Sequence, residues 1–148
     1  MFIIGELING MYQTIGRAIR DRDAQAIRQC ALRQVQAGAD CLDVNCGPAS
    51  RNPVDDIRWL VETIEDVTDT PLSIDSGKPD VIKAALEVMN RPGIVNSTTA
   101  DKEKLDILVE LLRLPPGAAV VDIACGKGEF LVRLAEAYGV SGFGIDAS

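Results

Sequence analysis

The chain contains no histidine among its 148 residues. Acid–base chemistry near neutral pH would therefore fall to carboxylates, Lys, Cys, Tyr or the groups of a bound ligand. Hydrolysis by a Ser–His–Asp type of triad is excluded. Its four cysteines form no CxxC pair, and zinc sites without histidine usually need such pairs, so we expect no metal site. The sequence assigns a catalytic role to no residue.

The sequence also lacks a positive charge excess, a long apolar run and a secretion signal. Its 22 acidic residues against 15 Lys and Arg give a net charge of −7, which repels phosphate backbones. We therefore expect no nucleic-acid partner. No apolar stretch approaches the roughly 20 residues that span a membrane, and the N-terminus has neither a basic region nor a cleavage site. These absences predict a cytoplasmic protein with no membrane partner.

The composition that remains is that of an ordinary globular protein, with 47% hydrophobic and 25% charged residues. Short β-type runs bounded by polar or Gly-rich turns predict six strands, at residues 2–8, 41–45, 71–75, 93–96, 118–124 and 142–146. Apolar spacing predicts helices between them, at residues 14–37 with a break near 22–24, 53–67, 79–90, 102–112 and 127–138.

This alternation predicts an α/β fold with mainly parallel strands and helices on both faces of the sheet, because parallel strands need crossover connections. A closed barrel of this type uses eight strands, and only about six are predicted here. We therefore expect an open or partly open, Rossmann-like sheet. A single domain covering residues 1–148 is expected at this length.

Polar residues follow or end each of the first four predicted strands. The residues at these ends, in chain order, are Glu6, Asn9, Asp43, Asn45, Asp75, Ser76, Asn96 and Ser97. The carboxyl ends of parallel strands share one edge of a sheet, where ligands bind. Any one of these residues could instead cap a helix or build a turn, but four consecutive strands with this ending favour a binding edge.

The segments IIGELING, LDVNCGPA, LSIDSG and IVNST resemble the pterin-binding TIM barrels of the methyltetrahydrofolate:corrinoid methyltransferase family. Related segments occur in dihydropteroate synthases and in cobalamin-dependent methionine synthase. The resemblance covers about residues 1–103, the first four of eight barrel strands. It implies methyltetrahydrofolate as ligand, a corrinoid protein as partner, and a pterin site at Asp75, Asn96, Asp43 and Asn45. Asp75 would accept paired N–H bonds from the guanidine-like edge of the ring, and Glu6 would order the loops.

Residues 108–148 no longer follow that pattern, and their DxxCGxGxF motif and strand-final acid resemble class I S-adenosylmethionine-dependent methyltransferases. The resemblance implies S-adenosylmethionine as ligand. Gly126 and Gly128 would let the backbone approach it, Asp146 would accept bonds from ribose hydroxyls, and Asp122 would lie near the methionine end. A Gly-rich turn that binds nothing is the alternative. Cys125 is interpreted as a small buried residue and not a nucleophile.

Together the two resemblances predict a chimera, natural or engineered, in which fragments 1–103 and 104–148 build one α/β domain. Each resemblance stops before its family's site is complete. We therefore expect a methyltransferase-derived hybrid that binds one or both ligands without full catalytic activity. The alternative is an active enzyme that moves a methyl group from methyltetrahydrofolate to a corrinoid protein. Exposed strand edges also suggest a homodimer as a hypothesis.

Overall fold

A computed structural model describes residues 1–48, 50–96, 101–123, 125 and 127–146 of the chain. Within these residues, strands and helices alternate as predicted. The strands are β1 (Ile4–Asn9), β2 (Cys41–Asn45), β3 (Leu72–Asp75), β4 (Ile94–Asn96), β5 (Ala119–Ile123) and β6 (Ser141–Ile145). The helices are α1 (Gln13–Asp21), α2 (Ala24–Gln36), α3 (Pro53–Glu65), α4 (Pro79–Val88), α5 (Lys102–Leu112) and α6 (Glu129–Tyr138). The predicted α/β class with parallel strands and no closed barrel is confirmed.

The strands lie in two sheets, whereas the sequence predicted a single sheet. The first sheet has the order β1-β2-β3-β4 and the second pairs β5 with β6, and every pair is parallel. The chain correspondingly forms two compact units, residues 1–97 and 98–148. Strand periodicity reports which residues form strands and carries no information about which strands pair, so the division was not predictable from it. One domain over the whole chain stays a prediction.

Helix boundaries follow local capping signals. The predicted break in the first helical stretch lies at Arg22, which adopts a left-handed φ of 54°, and the side chain of Asp23 then caps α2 by accepting from Ala26 N at 3.0 Å. Helix α6 begins at Glu129, two residues later than predicted, because Gly128 has a left-handed φ of 74° and so stands outside the helix.

The first unit is built around one fully buried set of aliphatic residues. Four residues of α3 are inaccessible to solvent, as are several residues of β2 and β3; the set includes Leu42, Val44, Ile57, Leu60, Val61, Ile64 and Ile74. Trp59 is partly buried, and the Arg22 guanidinium lies over its ring at 4.9 Å from the centroid. Burial of this set fixes the helices on the sheet.

The second unit has a smaller core. Val109, Leu134 and Val140 are buried, and the residues packed around them are Leu112, Leu114, Ala118, Val120, Phe130 and Tyr138. Tyr138 also donates its hydroxyl to Val109 O at 2.7 Å, which ties α6 to α5. Within the described part of the chain, no helix is long and apolar enough to cross a membrane.

Candidate functional site

The last residues of the first four strands form a row across the edge of the first sheet. Asn9 is in register with Asn45, and Asp75 is in register with Asn96. Between these pairs, Asn45 Nδ2 donates to Asp75 Oδ2 at 2.7 Å. Residues in register on parallel strands point to the same face, so the row presents three amides and one carboxylate together. Three of its four members are residues that the sequence predicted as pterin ligands.

Asp43, the fourth predicted residue, lies two positions before Asn45 on β2 and is only 5% exposed. Its Oδ1 atom accepts from Ser73 Oγ at 2.8 Å and from Asn96 Nδ2 at 3.1 Å. Asp43 therefore lies farther from the edge of the sheet than the row does, and its hydrogen bond holds the side chain of Asn96 in place. The buried carboxylate is satisfied by these bonds, which is the condition for keeping such a group inside a protein.

Ser73 was not predicted as part of the site. It stands two residues before Asp75 on β3, so it lies on the same face of the sheet, and it is 1% exposed. The period of two along LSID was the available signal, since it places Ser73 and Asp75 on one face. The hydroxyl of Ser73 completes the set of polar groups around Asp43.

The side chain of Asn45 is held at both ends. Its Oδ1 accepts from Gly47 N at 2.7 Å, and its Nδ2 group donates to Asp75. The amide oxygen must be the acceptor for a backbone N–H, which fixes the orientation of the amide and directs its donor at the carboxylate. A carboxylate has about four lone-pair sites, so Asp75 can still accept paired N–H bonds from a ligand.

The loops that follow β1 and β2 are in close contact at this edge. Gly10 N donates to Asn45 O at 2.8 Å, and a Cβ at Gly10 would stand 2.1 Å from Cys46 O. Only glycine fits there. Glu6 was expected to follow the first strand and to order these loops, but it lies inside β1. The expected position after the strand was wrong because the pairing of β1 continues to Asn9, and the role of Glu6 in ordering the loops stays a prediction.

An ion pair orders the segment after β2. Asp56, on the first turn of α3, is buried; it accepts from Ser50 Oγ and pairs with the Arg22 guanidinium at 2.8 Å. Its contacts connect the segment between Asn45 and α3 to the turn between α1 and α2.

The cysteines at the start of β2 and directly after it have thiols of raised pKa. Burial raises the pKa of the Cys46 thiol, and the Asp56 carboxylate raises that pKa further. Burial likewise raises the pKa of Cys41, with a further contribution from Asp43. Both thiols therefore stay protonated, because the thiolate is disfavoured away from water and beside negative charge.

In the second unit, the predicted residues lie around the turn between β5 and α6. Asp122 is on β5, in register with Gly144 of β6, and burial raises the pKa of its carboxyl. Gly128 N donates to Cys125 O at 2.9 Å, which closes the turn, and Asp146 directly follows β6. Gly126 lies outside the described residues.

The turn after β5 and the end of β6 are adjacent, since Cys125 N donates to Ile145 O at 3.2 Å. This bond brings Asp146 to the same edge as the turn. Cys125, expected to be buried, is partly exposed, and a Cβ at Gly144 would stand 2.6 Å from its Sγ atom. Its sulfur thus packs against the glycine-bearing strand.

Comparisons with known proteins match two families to successive, overlapping parts of the chain. The sequence model of pterin-binding enzymes matches residues 13–121, and that of mycolic acid cyclopropane synthetase matches residues 95–148. The methylcorrinoid:tetrahydrofolate methyltransferase of Eubacterium limosum is 36% identical over 111 residues, which are 75% of this chain and 41% of that protein. The chain thus spans less than half the length of that relative.

The two matches overlap over residues 95–121, which contain the predicted junction between fragments 1–103 and 104–148. The prediction that the chain joins a pterin-binding segment to a segment of methyltransferase type is confirmed. The pterin match covers well over half of the sequence and includes β2, β3 and β4, whose last residues are three of the four members of the row. The chain therefore belongs to the pterin-binding enzyme family.

Proposed function

We propose that this chain binds a tetrahydrofolate-type pterin at the edge of its first sheet, and that alone it does not complete methyl transfer. The observation that carries the proposal is the bond between Asn45 and Asp75, which holds a carboxylate in a row of amides on one face. Such a row suits a flat heterocycle with donors and acceptors around its rim.

In the proposed complex, Asp75 accepts two N–H bonds from the guanidine-like edge of the pterin. Hydrogen bonds to a charged group contribute about 1.5–3 kcal/mol each, so this contact would supply much of the specificity. Asn45 and Asn96 meet the remaining polar edges of the ring. Asp43 does not need to touch the ligand, because its bond to Asn96 orients that amide.

Methyltetrahydrofolate releases its methyl group only after a ring nitrogen gains a proton. The groups in the described row are three amides and one carboxylate, and the thiols of Cys41 and Cys46 have raised pKa values. Asp75 serves as a hydrogen-bond acceptor in the proposed complex, and amides and thiols of raised pKa are weak proton donors for that step at pH 7. We therefore favour a ligand-binding protein over an enzyme with full turnover.

The alternative is transfer of a methyl group between the pterin and a corrinoid protein. The name of the Eubacterium limosum relative supports this reaction class and this partner. One measurement distinguishes the ligand-binding protein from the enzyme. It is the rate at which the absorption spectrum of a supplied methylcorrinoid or corrinoid protein changes in the presence of this chain and the pterin. A rate above the uncatalysed rate supports the enzyme.

A second candidate ligand is S-adenosylmethionine, bound by the second unit. The supporting observation is the closed turn at Gly128, which leads into the N-terminus of α6 while Asp146 stands at the same edge. A helix N-terminus and a nearby carboxylate suit a nucleoside with charged and hydroxyl groups.

Thermal unfolding with each ligand tests both proposals. Ligands that bind only the folded state raise Tm as their concentration exceeds Kd. We expect tetrahydrofolate to raise Tm of the wild type but not of Asp75→Ala, and S-adenosylmethionine to raise Tm of the wild type but not of Asp146→Ala. Absence of any shift with either ligand at millimolar concentration would contradict both proposals.

A further inference from the structure

Strand β1 contains a bulge directly before the site. Gly5 is in register with Leu42 and Ile8 with Val44, so three steps along β1 match two steps along β2. One residue of β1 is therefore extra, which is the definition of a β-bulge. Two consecutive residues of the bulge, Glu6 and Leu7, are exposed, whereas a regular strand would alternate.

The side chain of Gln34 on α2 holds this bulge. Its Oε1 atom accepts from Leu7 N at 2.9 Å, and Gln34 is itself 6% exposed. A bulge removes backbone groups from the strand ladder, and an unpaired amide that is partly buried is costly. Gln34 supplies the missing acceptor.

Gly5 makes this contact sterically feasible. A Cβ at Gly5 would stand 2.6 Å from Gln34 Oε1 and 3.1 Å from its Cδ. The glycine therefore lets the amide of Gln34 lie against the strand. The contact also shows which face of the sheet packs against α2, since Gly5 and its partner Leu42 lie on that face.

The bulge decides which residue of β1 joins the row. Val44 is in register with Ile8, so both face the helices with Leu42, and Asn9 faces the other side with Asn45. Without the extra residue, the pairing of Gly5 with Leu42 would continue to Ile8 opposite Asn45, because a slip of one residue reverses the faces. Ile8 would then take the place of Asn9 in the row, and the side chain of Asn9 would face the helices.

We propose that Gln34 is a positioning residue for the pterin site, which acts by holding the bulge that aligns Asn9 with Asn45. The inference rests on the proposed pterin binding and extends it to α2, whose residues do not belong to the row. Gln34 does not touch the ligand in this proposal. Its effect reaches the ligand through the register of β1 and the side chain of Asn9.

Three variants separate this role from general stability. Gln34→Met keeps the length of the side chain and removes the acceptor, whereas Gln34→Glu keeps an acceptor oxygen and buries a charge. Ile27→Val removes one methylene from a fully buried position of α2 without touching the bulge. We expect Gln34→Met to weaken tetrahydrofolate binding about tenfold, the size expected for one polar contact. Gln34→Glu should keep near wild-type affinity despite a lower Tm, and Ile27→Val should also keep it.

A double-mutant cycle tests the route through Asn9. Asn9→Ala should weaken binding by about the same factor as Gln34→Met, and the double variant should be no weaker than either, because both remove one contact. Additive losses would overturn the proposal, as would a Gln34→Met protein with wild-type affinity.

Proton NMR of the free protein provides a readout that does not depend on the ligand. In the wild type, cross-strand contacts should join Asn9 to Asn45 and Ile8 to Val44. In Gln34→Met, the contact of Ile8 should move to Asn45, with faster exchange of the Leu7 amide. If the wild type binds no tetrahydrofolate, the proposed function fails, and this shift still tests the role of Gln34. An unchanged register in Gln34→Met would overturn that role.

Discussion

The side chain of Asn45 donates to the carboxylate of Asp75 at 2.7 Å, between the last residues of two adjacent strands. The same Asn45 amide accepts from Gly47 N, so its orientation is fixed from the other side. The bond therefore orients the Asp75 carboxylate before any ligand arrives. A site oriented in advance loses less conformational entropy when it binds.

Removal of this orienting bond should weaken binding less than removal of the carboxylate. We expect Asn45→Ala to raise the Kd for tetrahydrofolate about fivefold, or about 1 kcal/mol, because the Asp75 carboxylate itself stays in place to accept from the ring. Asn90→Ala is the matched control, because Asn90 bonds to Glu65 after α4 and lies away from the row. Equal effects of the two substitutions on Kd would contradict the role of Asn45.

The buried cluster around Asp43 should contribute to stability. Asp43→Leu removes the acceptor of Ser73 and Asn96, and it should lower the free energy of unfolding by about 1–3 kcal/mol, because the Ser73 hydroxyl has almost no access to water. Asp43→Asn retains an oxygen at the same place and should lower the free energy of unfolding less than Asp43→Leu does. Urea unfolding measures both. Equal losses for Asn and Leu would contradict the role of the acceptor, because both variants remove the charge and only Asn keeps an oxygen.

The carboxyl of Asp122 should lower stability when it is ionised. Burial raises its pKa, so the folded state binds the proton more tightly than the unfolded state. Its contribution is therefore favourable at acidic pH and is lost as the pH rises through the folded pKa. We expect Asp122→Asn to raise Tm at pH 7, with a difference that shrinks as the pH falls through the carboxyl range. A difference independent of pH would contradict this expectation.

Thiol labelling should distinguish the buried cysteines. Burial raises the pKa of Cys30, Cys41 and Cys46, and each of these residues is at most 8% exposed. We expect these three to react slowly with a thiol reagent at pH 7.5 and rapidly in urea, because the thiolate is the reactive species. Mass spectrometry of the labelled peptides measures each rate. Fast labelling of Cys46 in the folded protein would contradict the buried environment described for it.

The sequence predicted those features that depend on local signals. Pro53 and Pro79 begin helices where they were expected, and the break in the first helical stretch lies at Arg22 as predicted. Asn45, Asp75 and Asn96 end their strands as predicted, whereas their role as pterin ligands stays a prediction. These features follow from capping, apolar spacing and the position of polar residues after strands. The strand-end pattern by itself predicted a binding edge, and the family resemblance was needed only to name a ligand.

Features that depend on pairing between strands were not predicted. Periodicity did not reveal the bulge in β1, although Gly5 inside a strand is a known sign of one. It also did not reveal that the six strands form two sheets, or that Ser73 bonds to Asp43. Register and strand order arise from contacts between distant residues, and a single sequence does not display them.

The role of Asp75 is tested most directly by calorimetric titration of the wild type, Asp75→Asn and Glu62→Gln with tetrahydrofolate. Asp75→Asn removes the charged acceptor, and Glu62→Gln removes the same charge from an exposed position of α3. We predict that the wild type and Glu62→Gln bind with similar Kd and that Asp75→Asn binds at least about thirtyfold more weakly, as expected for about 2 kcal/mol. Equal Kd values for the wild type and Asp75→Asn, or no binding by the wild type, would contradict pterin binding at this row.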